Sequence, residues 1–147
     1  MPYAVDTAVP VERTKNEIER LVVEKHRAVQ YMVAHQTVPP RAVVQFGMKD
    51  RVVRFELPLP AKAKNETRLA QETRSRWRAL LLIIKAKLEA VENGVTTFEE
   101  EFLAHIVLPD GRTVAAATLP QIAQAYVGGK MPKLLPEFAT PADVDGG

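Results

Sequence analysis

Six cations, Arg68, Arg74, Arg76, Arg78, Lys85 and Lys87, crowd one stretch of this 147-residue chain and face a single acid, Glu72. Downstream the sign reverses, with five glutamates and no base from Glu89 to Glu101. Cations in a row can neutralise successive phosphates of a nucleic acid and release the counterions those phosphates hold, which gives backbone binding its affinity and its salt dependence. At helical spacing Arg74 and Arg78 lie one turn apart, with Lys85 two turns further on nearly the same side. Arg76 and Lys87 flank the helix from another angle, so the cations form more than one row. Trp77, the single tryptophan, lies among them, and an exposed Trp can stack on a base. Trp77 also falls on the apolar stripe of the same helix, however, and charge runs on amphipathic helices are mostly solvated faces. The candidate nucleic-acid-binding residues are Arg74, Arg76, Arg78 and Lys85, together with Lys62 and Lys64 from the basic linker before the helix.

The sheet side carrying Gln30, Gln45, Arg54 and Glu56, with Lys49 and Arg51 at its turn, is a second candidate. Faces that bind single strands use aromatic platforms, whereas Tyr31, Phe46 and Phe55 all fall on the opposite, apolar set. A plain solvent-facing side is the better reading. Catalytic chemistry has thin support. Glu101 and His105 are four residues apart and could share a metal or a proton, but one carboxylate and one imidazole do not complete a site, and an ion pair is the simpler reading. His35-Gln36-Thr37 resembles the histidine-x-threonine element of two-histidine phosphoesterases, which need a second copy that neither His26-Arg27-Ala28 nor His105-Ile106-Val107 supplies. Glu99-Glu100-Glu101 is explained by its place in the first turn of a helix. The chain has no cysteine, which excludes thiol nucleophiles and thiolate zinc sites, and no phosphate-binding glycine loop is present. The expectation is a non-enzymatic protein without cofactor or metal.

The elements that must position these residues can be read from periodicity. A first helix runs from about Pro10 to His26, with Val11, Thr14, Ile18, Leu21, Val22 and Lys25 on one stripe. Ala28 to His35 reads as a strand with Val29, Tyr31 and Val33 on one face. A two-residue turn at Lys49-Asp50 would set Phe46 opposite Val53, Val44 opposite Phe55 and Ala42 opposite Leu57, with Gln45 meeting Arg54 and Val43 meeting Glu56 on the other side. A long helix from Asn65 to Asn93 carries Leu69, Thr73, Trp77, Leu81, Ile84, Leu88 and Val91 on its stripe, widened by Leu80 and Ile83. Thr97 and Glu100 form a capping box before a short helix near Phe98, Leu108 to Arg112 is a turn, and Leu119 to Val127 is a last helix stopped by Gly128-Gly129. The fold class is α+β: an N-terminal helix, a three-stranded antiparallel meander, a long helix packed across the sheet, then short C-terminal helices and a tail. One domain over 1–129 and a Pro/Gly-rich tail over 130–147 are expected.

The net charge of +2 is modest, so any electrostatic argument rests on where the charge lies. The longest apolar run, Ala79 to Ile84, is too short to span a bilayer, and the first residues carry no signal-peptide pattern. The stretch from Arg76-Trp77-Arg78 through Lys85-Ala86-Lys87-Leu88-Glu89, followed by Thr97-Phe98-Glu99-Glu100-Glu101-Phe102 and Leu108-Pro109-Asp110-Gly111-Arg112, resembles a group of small proteins encoded by tailed bacteriophages and prophages. Phe55-Glu56-Leu57-Pro58-Leu59-Pro60 and Gly129-Lys130-Met131-Pro132 add to the resemblance. It implies a protein at work in the cytoplasm of the bacterial host, in DNA metabolism or in interference with host defence, and it carries over no catalytic residue. Two functions from different classes follow. One is an accessory protein that contacts single- or double-stranded nucleic acid through the basic helix. The other is a protein-binding module, either an inhibitor of a host factor or a homodimer built by antiparallel pairing of the long helices, whose basic-to-acidic gradient is self-complementary.

Overall fold

The computed structural model describes residues 7–133 of the chain, so most of the tail expected over 130–147 lies outside the described residues. Its elements are α1 (Val11–Glu19), a π-helical turn (Arg20–Lys25), β1 (Gln30–Gln36), β2 (Arg41–Met48), β3 (Arg51–Pro58), α2 (Glu66–Glu92), α3 (Phe98–Glu101), a 3-10 turn (Leu103–His105) and α4 (Val114–Gly128). The three strands form one antiparallel sheet in the order β1-β2-β3. The architecture is the α+β arrangement expected, with the long helix following the sheet and covering it.

The β2–β3 register is the one the alternation of side chains demands: Phe46 pairs with Val53, Val44 with Phe55, Ala42 with Leu57, Gln45 with Arg54 and Val43 with Glu56. A slip by one residue would turn the apolar set to water. Lys49 and Asp50 close this hairpin with φ of 56° and 60°, the pair of left-handed residues that a type I′ turn requires. β1 adds on the far side of β2, pairing Tyr31 with Phe46 and Val33 with Val44. It starts two residues later than the sequence pattern suggests. Arg27 turns the chain at φ 60°, and Ala28 still donates back to the Val22 carbonyl. Val29 is therefore 89% exposed rather than on the core face.

α2 is bounded as its caps dictate. The Asn65 side chain accepts from the Arg68 amide, which satisfies one of the unpaired donors of the first turn, and Gly94 follows the end at φ 75°. Trp77, Leu80, Leu81, Ile84 and Leu88 bury themselves on the sheet. There they meet Val44, Phe46 and Phe55, with Ile18 and Val22 closing one side and Phe98 and Phe102 the other. Ile83, which was to widen the stripe, is 47% exposed. Thr97 caps α3 through the Glu100 amide. The Leu108–Arg112 turn joins two short extended pieces that reach the edge of β3 through the bridge between Val53 and Ile106. α4 begins five residues before the expected Leu119, because Thr113 caps its first turn by accepting from the Ala116 amide. Pro120 consequently lies inside the helix rather than at its start.

The left-handed hairpin residues carry a testable consequence. Both Lys49 and Asp50 pay for a conformation that Asn and Gly adopt readily. The double substitution Lys49→Asn/Asp50→Gly should raise stability by about 1–2 kcal/mol in urea unfolding. An unchanged or lower midpoint would contradict the type I′ assignment.

Candidate nucleic-acid interface

α1 and the π-helical turn lie alongside α2 on the flank that carries Arg74, Arg78 and Lys85. Between them runs an open groove of about 380 Å³ lined by Glu17, Arg20, Leu21, Lys25, Arg78, Leu81, Leu82 and Lys85. Three leucines, four cations and one carboxylate make up its lining. The π-helical turn matters for this geometry. Its hydrogen bonds reach back five residues, as in His26 N–H to the Leu21 carbonyl at 3.2 Å, so positions five apart come to lie on successive turns of one side. On a regular α-helix, at 100° per residue, Arg20 and Lys25 would point about 140° apart. Here both line the same groove.

Arg78 is the least exposed of the groove's cations, with 16% of its side chain in contact with solvent, and its Nη1 donates to Glu17 Oε2 at 2.9 Å. Glu17 is also approached by Arg13 Nε at 3.6 Å. One carboxylate is thus shared by two guanidiniums, and the groove keeps an excess of three positive charges, four cations against one acid. Arg20, Lys25 and Lys85 are exposed, and none of the three has an ion-pair partner among the described residues.

The six residues singled out by sequence are divided by the fold. Arg78 and Lys85 line the groove, together with Arg20 and Lys25, which the sequence reading missed. Arg74 sits one turn before Arg78 in an adjoining hollow beside Val11 and Leu69, where its Nη2 donates to Gln71 Oε1 at 2.6 Å. Arg76 points from the other flank and donates to the Pro58 carbonyl at 2.7 Å. Lys62 and Lys64 are exposed in the linker, away from the groove lining. Trp77 is 1% exposed, with Lys15 Nζ 5.1 Å from its ring centroid and His35 tilted against it. A base has no access to it.

The other candidates are absorbed by packing. On the open sheet face Arg54 donates to Gln45 Oε1 at 3.1 Å and to the Gly111 carbonyl at 2.8 Å, and Glu56 pairs with Arg41. Arg51 pairs with Glu99 at 3.1 Å. The ion pair expected between Glu101 and His105 does not form. Glu101 Oε1 lies 3.4 Å from Lys87 Nζ, and His105 stacks on Phe55 with ring centroids 4.1 Å apart. Among the described residues no group of three or more histidines and carboxylates is placed to hold a metal ion.

His105 makes stability depend on pH. Burial first, and the Lys87 ammonium second, hold its imidazole below the ordinary value of 6.5, with a hydrogen bond to the Arg54 backbone acting the other way. The unfolded chain therefore takes up this proton before the folded one does, so the contribution is present above the unfolded value and is lost as pH falls through the folded one. Urea midpoints should drop as pH falls below about 6.5, the unfolded value, and His105→Phe, which keeps the stack on Phe55, should flatten that drop. An equally steep drop in the variant would contradict the assignment.

No family model matches this chain, and comparison with curated proteins and with solved structures yields no significant match.

Proposed function

We propose that this protein is a non-enzymatic accessory protein that holds a nucleic-acid phosphate backbone in the groove between its first helix and its long helix. The observation that carries the reading is the convergence of Arg20 and Lys25 from the π-helical turn with Arg78 and Lys85 from α2, against the one carboxylate of Glu17. Phosphate is the ligand that suits them. The cations are spread along a cleft rather than focused on one point, and three are exposed, so they can follow a chain of charges. With Arg74 the row extends from position 74 to 85 of α2, about 16 Å at the helical rise, the length of about five nucleotides at duplex spacing. No aromatic side chain lines the groove, so contact is through the backbone and carries little sequence preference. The resemblance of the Arg76–Val114 stretch to phage-encoded proteins supports a place in the DNA metabolism of an infected bacterium, in its cytoplasm. No helix of the described residues is long and apolar enough to cross a membrane.

Fluorescence anisotropy of labelled single-stranded DNA, duplex DNA and RNA tests the reading. With three phosphates neutralised, affinity between ~50 and ~200 mM salt should fall about 40-fold on duplex DNA and about 20-fold on single strands. Lys25→Glu/Lys85→Glu should weaken binding at least about tenfold and flatten the salt slope, while Lys62→Glu/Lys64→Glu should leave both nearly unchanged. Flat curves on all three ligands would end the nucleic-acid reading. A loss confined to the linker variant would move the interface away from the groove.

A further inference from the structure

α4 is a helix whose apolar side faces water. Its only buried residues are Ala117 and Thr118, near its start. Leu119 is 59% exposed, Ile122 36%, Tyr126 89% and Val127 91%. Leu119, Ile122, Ala123 and Tyr126 follow the i, i+3, i+4, i+7 spacing of a helix face that is normally covered. A helix of 15 residues has little stability of its own in water, and Pro120 removes one of its backbone donors. Its outer turns stand away from the core all the same, which is the mark of a helix completed by a partner.

We propose that the partner is a second copy of this chain, with the two α4 helices packed antiparallel about a two-fold axis near Gln121. Three features favour a like partner. The segment from Thr113 to Gly129 contains no Asp, Glu, Lys, Arg or His, so two copies meet without repulsion, and a foreign partner would find no charge on α4 by which to be selected. The order of sizes along the stripe fits its own reverse. Crossing at Gln121 puts Leu119 over the partner's Ala123, Tyr126 over the partner's Ala116 and Val127 over the partner's Ala115, large over small at these three contacts, and Ile122 over the partner's Pro120. The exposed surface is also sufficient. Leu119, Ile122, Tyr126, Val127 and the exposed Met131 offer on the order of 600 Å² per copy, hence about 1,200 Å² for the pair, the lower end of specific interfaces.

The interface is independent of the basic groove, and its test needs no ligand. Light scattering of the full chain from about 1 µM to about 100 µM should show the mass rising from 16.3 kDa towards twice that value. Leu119→Glu and Tyr126→Glu should each hold the chain at the monomer mass with an unchanged circular dichroism spectrum. Because the chain has no cysteine, Ile122→Cys should crosslink to a symmetric disulfide dimer under mild oxidation, and Ala61→Cys in the linker should not. A wild-type monomer at the highest concentration overturns the proposal. So does a dimer that survives both glutamates, or one in which Ile122→Cys crosslinks no faster than Ala61→Cys.

Discussion

A three-stranded sheet has no stability of its own until one face is taken out of water, and in this protein a single helix does most of that. Trp77, Leu81, Ile84 and Leu88 of α2 cover Val44, Phe46 and Phe55, and that contact fixes how α2 is rotated about its axis. Everything on its other sides follows. Once Trp77 faces the sheet, Arg74, Arg78 and Lys85 must lie along one flank and Arg76 and Lys87 along the other. α1 docks on the first flank, where Arg78 meets Glu17. The segment after α2 docks on the second, where Lys87 Nζ hydrogen-bonds the Glu101 backbone carbonyl at 3.0 Å. Of the basic and acidic halves of the charge reversal, Lys87 and Glu101 pair with one another and Arg78 pairs with α1, which links α2 to its neighbours on both sides, while Lys85, Glu89, Glu92 and Glu100 stay exposed.

The groove exists because the end of the first helix departs from α geometry. Ile18 and Val22 are both fully buried against α2 and the sheet, and the chain must then turn at Arg27 to enter β1. Widening the last turns into a π-helix reconciles the two demands, at the expense of regular hydrogen bonding, and it places Arg20 and Lys25 together on one side. Such irregular turns are frequent at functional sites. The excess positive charge is thus a consequence of local backbone geometry as much as of composition, which explains how a chain of net charge +2 holds a concentrated basic cleft.

Much of the fold was legible in the sequence because side-chain periodicity and capping residues act locally. The alternation of Ala42, Val44, Phe46, Val53, Phe55 and Leu57 determines the hairpin register, and Asn65, Thr97 and Gly94 mark helix ends by their own hydrogen bonding or left-handed backbone. The π-helical turn was not legible, since residues Arg20 to Lys25 have an ordinary helical composition and only tertiary packing selects the wider turn. α4 starts five residues before the expected Leu119, because its start is set by the Thr113 cap. Of the six candidate residues, Arg78 and Lys85 reach the groove and Arg74 borders it. The sequence could not show that Arg76 would hydrogen-bond a strand-end carbonyl 18 residues away in the chain, nor that Trp77 would be wholly enclosed. A partner for Arg78 from another helix is a long-range fact with no local signature.

The measurement closest to the central claim is backbone amide NMR of the full chain titrated with a short single-stranded oligonucleotide and then with a duplex. Shift changes should cluster on residues 20–25 and 78–85, fade with added salt, and leave the open sheet face and α4 unmoved. Changes confined to the sheet face, the linker at 61–65 or α4, with the groove silent, would contradict the account.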